Sequence, residues 1–529
     1  MNSPGSLSPS QRFLPFNVST DDLPTLQFPA EIIFKILEFQ LHQIMQNNTV
    51  SISTNTQMFI RSNLTVCRVF YRCVVKLIYK YCCFKTPHTF EIFLIAIRNK
   101  KRLGEYVQVL DFQEFTSIGL GRTGRMNKEI QMVTSTTILE SLKHTPNLVE
   151  FLASENIKDD LDTELLEYLF NEMHHIRALD FCGCSGELFT TNFNNVIIKK
   201  PGILNITDLS FHDCTDLPTE CLEKVISNLP NLRKLDLTHT QITSKSLGLI
   251  PHTAQLTHLS LAYCIQLTTR ELISFFINHP AITCNQLVWL NLQCDSSTTL
   301  FNNNQLTFLL KMFDCDFKYL NLGGLPVTFN NLMLIKRKFL NLKAIDLTRC
   351  SFTQQEIIDF LSPPPPSPSP STELDVKTDY FQQLLFIGLA QNNNITRWNL
   401  DNPQFLNCSK SLVAFEFTMK IINDIEQIGG KLIYGSASNK TIWKSLDSGG
   451  RRGWLFKVDP IKNPDNSKSI GLIEYDIETG EKLFKILKQP EFLKYVNKKI
   501  SMSKGVLGDA NEIFGDLERG IYKYYGMKM

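Results

Sequence analysis

The central part of the chain, from Ile176 to Leu347, repeats one short pattern of apolar residues. Each copy has an apolar residue, a second one three positions later and a third two positions after that. In most copies a cysteine or threonine follows the third apolar residue after three more positions. The copies start at Ile176, Ile206, Leu232, Leu256, Leu287, Phe317 and Leu342. A unit this short cannot bury its own apolar side chains, so neighbouring units must stack against each other.

The last two apolar residues of a copy, such as Leu235 and Leu237, have the period of a β-strand. The segments between them have helical spacing, and several end at a proline, such as Pro230 or Pro280, which stops a helix. The spacing of the copies is typical of leucine-rich repeats, whose period is roughly 20–29 residues. The sequence therefore predicts an α/β fold, a curved solenoid with a parallel sheet on its concave side and helices on its convex side. Weaker copies at Val107, Leu148, Leu384 and Leu412 extend it at both ends.

The composition is that of a globular protein, with 43% hydrophobic residues in 529 and a net charge of +2. The small net charge argues against a nucleic-acid partner. The first 25 residues are rich in Ser and Pro and lack the pattern of a secretion signal. No apolar run reaches the roughly 18 residues that span a bilayer. We therefore expect no membrane partner and a cytoplasmic or nuclear location.

The cysteines are expected to be buried thiols. Four of the 14, Cys184, Cys214, Cys264 and Cys350, occupy the same repeat position and would pack there as small apolar groups. The pairs Cys182/Cys184 and Cys82/Cys83 do not have the spacing of a zinc site. The expectation is therefore no disulfide, no metal and no cofactor.

One glycine motif, Gly119-Leu-Gly121-Arg-Thr-Gly124, matches the dinucleotide fingerprint. We interpret it as a loop at an irregular repeat junction, because the next strand has no acidic residue at its end. No grouping of His, Asp and Glu has a recognisable catalytic spacing. The hypothesis of a nucleotide-dependent enzyme would require stabilisation by NAD or ATP, and we expect none.

The N-terminal region predicts two helices. Pro29 can open the first, in which Ile33 and Leu37 have helical spacing. The polar stretch from Gln46 to Gln57 predicts a loop. A second helix is expected from Leu64 to Tyr79, with a cap at Ser62 or Asn63.

These two segments resemble an F-box, through Pro-x-Glu-Ile-x-x-x-Ile-Leu from Pro29 and Leu-x-Val-Cys-Arg-x-Phe-Tyr from Leu64. Phe28 replaces the usual leucine of that family. The polar stretch from Gln46, between the two matching segments, makes this part about a dozen residues longer than usual. This insertion affects the expected middle helix of the F-box. The resemblance is closest to fungal F-box/leucine-rich-repeat proteins and covers roughly residues 25–420. It implies binding to the adaptor Skp1, and through it to a cullin/RING ubiquitin ligase. The implied Skp1-binding residues are Pro29, Glu31, Ile32, Ile36, Leu37, Leu64, Val66, Cys67, Phe70 and Tyr71. The alternative is a two-helix cap on the solenoid.

The predicted organisation has six parts. They are a disordered N-terminus (1–25), an F-box-like helical domain (26–83), a bridge with a first degenerate repeat (84–145), the solenoid (146–420), a Pro/Ser linker that interrupts it (362–372), and a small C-terminal β-rich cap or accessory module (421–529). The linker contains four consecutive prolines and predicts a stiff extended segment. A plain linker is the preferred interpretation over a ligand for a proline-recognition domain.

A substrate surface is expected on the concave face. Its predicted residues are Lys234, His258, Trp289 and Tyr319, one from each of four neighbouring strands. Exposed Trp and Tyr are typical interface anchors. The next column, which includes Asp180 and Asp236, is interpreted as solvated sheet polarity. A second candidate surface in the C-terminal module contains Arg451, Arg452 and Trp454.

The sequence thus favours a non-enzymatic substrate receptor of a Skp1–cullin–F-box ubiquitin ligase, with an unknown protein substrate. The alternative is a ubiquitin-independent leucine-rich-repeat scaffold or a GTPase-regulatory protein, in which a loop arginine such as Arg349 would reach the nucleotide.

Overall fold

The computed structural model describes residues 28–47, 52–113, 115, 132–198, 205–295, 300–363, 383–435, 440–448, 450–458, 472–475, 482–486, 490–497 and 499–502. Three predicted features lie outside these residues. They are the disordered N-terminus, the glycine motif of residues 119–124, and the Pro/Ser linker from residue 364 onward. The domain boundaries stay predictions.

One sheet of fifteen strands runs through the described residues. Its first twelve strands are parallel and follow chain order. They are β1 (Tyr81–Cys83), β2 (Val109–Asp111), β3 (Glu150–Leu152), β4 (Ala178–Asp180), β5 (Asp208–Ser210), β6 (Lys234–Asp236), β7 (His258–Ser260), β8 (Trp289–Asn291), β9 (Tyr319–Asn321), β10 (Ala344–Asp346), β11 (Phe386–Gly388) and β12 (Ala414–Phe417). This confirms the predicted parallel solenoid sheet.

Three antiparallel strands extend the sheet beyond β12. They are β13 (Lys431–Tyr434), β14 (Thr441–Ser448) and β15 (Arg452–Val458), and β15 pairs with β12. The predicted β-rich cap is therefore continuous with the solenoid sheet, and it covers the edge that β12 would otherwise leave unpaired. A separate antiparallel pair consists of β16 (Leu472–Tyr475) and β17 (Lys482–Ile486).

Three helices precede β1, and later helices alternate with the parallel strands on the convex side. The first three are α1 (Ala30–Asn47), α2 (Ile52–Asn63) and α3 (Arg68–Lys80). The later α-helices are Pro87–Asn99, Lys101–Gly104, Ser135–His144, Thr163–Asn171, Glu187–Ile198, Thr219–Ile226, Ser244–Leu247, Thr269–Asn278, Pro280–Thr283, Asn303–Met312, Phe329–Lys338, Gln354–Leu361, Pro403–Asn407 and Met419–Gln427. Short 3-10 helices are Glu155–Asp160, Arg397–Asp401 and Glu491–Tyr495. None of the described helices is both long enough and apolar enough to cross a membrane.

The repeat pattern works because its apolar residues all point away from the concave face. The middle residue of each strand from β2 to β11, such as Leu235 of β6, is fully buried in the core against the helices. The chain then turns with a residue in the left-handed region, two positions after the last apolar residue. Such residues are Gly183, Asp213, His239, Tyr263, Gly324, Arg349 and Gln391. One turn geometry therefore recurs in these repeats, mostly without the glycine that it favours.

The four repeat cysteines are buried thiols, as predicted. Cys214 donates its S–H to the carbonyl of Phe181 at 3.0 Å, and Cys264 donates to that of Leu237 at 2.9 Å. Burial raises the pKa of both thiols. They are therefore neutral donors that tie each turn to the preceding repeat.

The N-terminal helices differ from the prediction. The stretch expected to be a loop contains the first half of α2, and α3 begins only at Arg68. Phe59 of α2 is fully buried in a cluster that includes Leu37 of α1 and Val74 of α3, and this burial outweighs the weak helix propensity of the polar sequence before it. Ser62 caps no helix, because its hydroxyl bonds the carbonyl of Met58 within α2.

Candidate functional site

Helix α1 has apolar side chains on two faces. The inner face is formed by Ile33, Leu37, Leu41 and Ile44, which pack into the helical cluster with α2 and α3. The outer face carries Ile32, Ile36 and Phe39, which are 47%, 53% and 61% exposed. Phe28, just before the helix, is 55% exposed. A helix with two apolar stripes needs two partners, and the chain supplies only the inner one among its described residues.

The segment between α2 and α3 adds to this outer surface. Val66 is 57% exposed, and Tyr71 in the first turn of α3 is 51% exposed. Cys67, also exposed, is the N-terminal flanking residue of α3 and makes no side-chain cap. The exposed apolar surface is thus built by α1 together with the start of α3. We call it the outer helical surface (Phe28, Ile32, Ile36, Phe39, Val66 and Tyr71).

The ten residues implied by the F-box resemblance do not all lie at this surface. Pro29, Glu31, Ile32, Ile36, Val66, Cys67 and Tyr71 are exposed. Leu64 and Phe70 are half-buried against the helical cluster. Leu37 is fully buried beside Phe59, so the structure corrects its assignment to a docking surface: it stabilises the helices from inside.

Charged groups beside the cluster fix how α1 and α3 cross. Glu38 of α1 accepts from Lys35 at 2.7 Å and lies 3.5 Å from Lys80 of α3. Partial burial would raise the pKa of Glu38, but the two lysines hold it below its usual value. Lys76 of α3 lies 4.9 Å above the ring of Phe34. The contacts of Lys76 and Lys80 thus join α3 to α1.

On the concave face the predicted column has the expected register. Lys234 pairs with His258, His258 with Trp289, and Trp289 with Tyr319. The Trp289 and Tyr319 rings stack at 4.6 Å with an angle of 7° between their planes. His258 lies parallel to Trp289 at 6.4 Å. The order of side chains along the sheet was therefore readable from the repeat.

The prediction that this column is exposed is wrong. His258 and Trp289 are each 4% exposed and Tyr319 is 1% exposed. They are covered by residues 490–497 and 499–502 of the same chain, which we call the crossing segment. Phe492, Val496, Ile500 and Met502 of that segment are buried in one cluster with Trp289 and Tyr319. Only Lys234 remains partly exposed, and its ammonium donates to the carbonyl of Ser501 at 3.3 Å.

The crossing segment runs from the cap toward the N-terminal strands. Phe492 contacts Phe456 and Trp454 of β15, with ring centroids 5.1 and 6.1 Å apart. Asn497 lies over β8 and β9, where it accepts from the Tyr319 phenol at 2.9 Å and donates to Gln293 at 2.7 Å. The segment then reaches β6 and β4.

At its far end the crossing segment uses acidic residues of the sheet. Lys499 forms an ion pair with Asp180 of β4, and the Ile500 N–H donates to Asp236 of β6 at 3.1 Å. Burial would lower the pKa of Lys499, but Asp180 and its neighbours raise it above its usual value. Asp180 and Asp236 are fully buried. The interpretation of this column as solvated polarity was therefore wrong: these carboxylates are partners of the crossing segment.

The second predicted surface is divided at the start of β15. Arg451 is exposed, whereas Arg452 and Trp454 are buried. Arg452 forms a bidentate ion pair with Glu416 of β12 and donates to the carbonyl of Asn497 at 2.6 Å. The expected exposed basic-aromatic patch is thus corrected. Arg452 and Trp454 hold the crossing segment against the cap.

Sequence reasoning missed the crossing segment altogether. Its one signal was a run of lysines among apolar residues in residues 492–502, opposite a sheet column rich in aspartate. Arg349, the arginine considered for a GTPase role, is bound within the chain by Asp295 and by Gln391 at 2.7 Å. In the described residues no group of His, Cys, Asp and Glu could hold a metal ion.

Comparison with known proteins finds a relative in yeast. The chain is 35% identical to the F-box protein YLR352W of Saccharomyces cerevisiae, over 90% of this chain and 66% of the relative. The chain thus spans slightly less than two thirds of the curated relative's length. No protein-family profile matches the chain.

Two solved structures are similar at 14% sequence identity. One is the complex of Rad7 and Elc1 from yeast, with a TM-score of 0.40, covering 71% of this chain and 92% of the matched chain. The other is the leucine-rich repeat-containing protein LegL7 from Legionella pneumophila, with a TM-score of 0.32, covering 53% and 86%. The chain is thus related to a yeast F-box protein, and its described residues form a leucine-rich-repeat solenoid.

Proposed function

We propose that this protein is a substrate receptor of a ubiquitin ligase. The outer helical surface binds a Skp1-type adaptor, and through it a cullin/RING ligase. The solenoid holds a protein substrate. The proposal is supported by the relationship to a yeast F-box protein and by the second apolar face of α1.

The observation that carries the adaptor role is the exposure of Ile32, Ile36 and Phe39 on the side of α1 opposite its buried stripe. Apolar side chains spaced three and four apart form the anchors by which a helix binds a groove. Contiguous exposed apolar surface is also costly in water unless a partner covers it. The same three helices bury their other face around Phe59, so they present the surface as one folded unit.

The receptor would contribute to ubiquitin transfer by position and not by chemistry. Holding a substrate near the charged conjugating enzyme raises the effective concentration of its lysines. No step of bond making or breaking is assigned to this chain. The proposed place of action is the cytoplasm, the nucleus or both.

The test is binding of purified full-length protein to Skp1, measured by calorimetry. Ile36→Asp places a charge at the centre of the outer helical surface, so we expect binding at least tenfold weaker, equal to about 1.4 kcal/mol. Leu188→Asp is the matched control, because Leu188 is also 53% exposed and also lies on a helix, but within the solenoid. We expect this control to bind like the wild type. Undiminished binding by Ile36→Asp, or equal loss in both variants, would contradict the proposal.

A further inference from the structure

The crossing segment lies in the concave face as a ligand lies in a binding groove. Apart from the short 3-10 helix Glu491–Tyr495, its described residues form no regular secondary structure and pair with no strand of the sheet. Its main chain is held by side chains instead, through Arg452, Lys234 and Asp236. A segment held in this way can leave without breaking a ladder of strand hydrogen bonds.

Two kinds of contact hold the segment. Apolar anchors are Phe492, which contacts the cap, and Val496, Ile500 and Met502, which are buried in one cluster with Trp289 and Tyr319. Two polar anchors are spaced two residues apart. Asn497 forms hydrogen bonds with Tyr319 and Gln293, and Lys499 forms an ion pair with Asp180. The face therefore recognises an amide side chain, a lysine and flanking apolar residues in one extended stretch.

The groove favours a positively charged ligand, because two buried carboxylates of its strands, those of Asp180 and Asp236, contact the crossing segment. Asp180 also accepts from the Gln113 side chain at 2.5 Å and from the Cys182 N–H at 3.1 Å. Asp236 accepts from the Thr238 N–H at 3.1 Å and lies 3.2 Å from His212 Nδ1. These bonds orient both carboxylates before any ligand arrives, and buried carboxylates favour a ligand that brings a positive charge.

We propose that the concave face is a peptide-binding site that the crossing segment occupies in cis. Its ligand in trans is an extended peptide of a partner protein with an Asn-x-Lys core and apolar flanks, and that peptide must displace the crossing segment to bind. This inference deepens the proposed function, because such a peptide is a substrate only if the adaptor also docks. A tethered competitor acts at an effective concentration of the order of millimolar, so the segment sets a threshold for substrate affinity.

The experiment uses full-length protein and a labelled synthetic peptide with the sequence of residues 490–502, followed by fluorescence anisotropy. The released variant carries Lys499→Glu and Ile500→Asp, which set a negative charge against Asp180 and a charge in the apolar groove. We expect its dissociation constant for the peptide to be at least tenfold lower than that of the wild type. Lys457→Glu makes the same lysine-to-glutamate change at an exposed lysine of β15 and should bind like the wild type.

A groove variant checks the site. Adding Asp180→Asn to the released variant should weaken peptide binding at least tenfold, because the lysine loses its charged partner. A peptide with Lys499→Glu should not bind the released variant. Equal affinity of the released variant and the wild type, or no effect of Asp180→Asn, would overturn the proposal. The assay contains no adaptor, so this result is independent of whether Skp1 binds.

The released variant can be compared with the wild type only if it folds, which a cooperative unfolding transition shows. If it does not fold, hydrogen exchange of the wild-type protein tests instead whether the crossing segment leaves the groove. We expect the Ile500 amide to have a protection factor at least tenfold lower than the amides of β7. A smaller difference would mean that the segment separates only on global unfolding, and the site would then be a permanent part of the core.

Discussion

The phenol of Tyr319 donates a 2.9 Å hydrogen bond to the side-chain oxygen of Asn497, which lies 178 positions later in the chain. The Asn497 amide continues to Gln293 at 2.7 Å, and its carbonyl accepts from Arg452 at 2.6 Å. One residue of the crossing segment is thus bound by the solenoid and by the cap. A solenoid strand, β9, and a strand of the cap, β15, are thus linked through a residue that belongs to neither.

Tyr319→Phe should loosen this link without changing the fold. The stacked ring on Trp289 is kept, but Asn497 loses one donor in a buried site. We expect the free energy of unfolding in urea to fall by about 1 kcal/mol. Tyr71→Phe, at an exposed tyrosine, should change it by less than about 0.5 kcal/mol. Equal effects of the two substitutions would show that the Asn497 contact does not stabilise the protein.

Trp289→Ala should destabilise the protein strongly. The indole is buried between the His258 and Tyr319 rings beneath the crossing segment, so its removal leaves a cavity. We expect a loss of about 3–5 kcal/mol in the free energy of unfolding, measured by thermal or urea denaturation.

The matched control for that substitution is Trp398→Ala, because the Trp398 side chain is 81% exposed. Its effect should stay within about 0.5 kcal/mol. If Trp289→Ala were as mild as this control, the indole would be exposed in solution and the crossing segment would not cover it.

Asp346→Asn should stabilise the protein at neutral pH. Burial and the nearby charge of Glu416 raise the pKa of Asp346 from 3.8 to about 6. The folded state therefore retains this proton when the unfolded state has lost it, and stability falls as pH rises between these values. Asparagine removes that loss and can still accept from the Thr348 N–H, which lies 2.9 Å from Asp346 Oδ1. The advantage of the variant should grow by about 2 kcal/mol from about pH 4.5 to about pH 7.5.

Asp236→Asn, in the same sheet column, should have the opposite sign. Burial would raise the pKa of Asp236, but His212 and Lys499 lower it to about 2. Its stabilisation is therefore complete above about pH 4 and lost as pH falls toward 2. We expect the variant to be less stable at about pH 7.5, and the deficit to shrink below about pH 4, in urea titrations at each pH. The same sign for both variants would contradict the assigned pKa directions.

Much of the fold could be predicted because the repeat is a local signal. The position of Leu235, Leu259 and Leu290 in their copies fixed the strand, its inward face and the order of its neighbours. The same logic placed Trp289 next to Tyr319. Helix α2 was not predicted, because its polar sequence has little helix propensity and the helix is stabilised by the burial of Phe59.

The candidate sites were predictable only in part. The spacing of Ile32 and Ile36 identified an apolar stripe, but neighbouring positions on the same helix form the buried stripe, and only packing assigned Leu37 to the inside. The sequence could not predict whether the concave column is exposed, because its burial depends on the crossing segment that covers it.

The sequence by itself determined the repeating solenoid, the register of its strands and the first N-terminal helix, since these follow from apolar spacing within a few tens of residues. Only the tertiary structure decided that Lys499 meets Asp180 and that residues near the end of the described chain fill the concave face. The physical reason is that such contacts join positions hundreds of residues apart through one pair of side chains each, and no local period in the sequence records them.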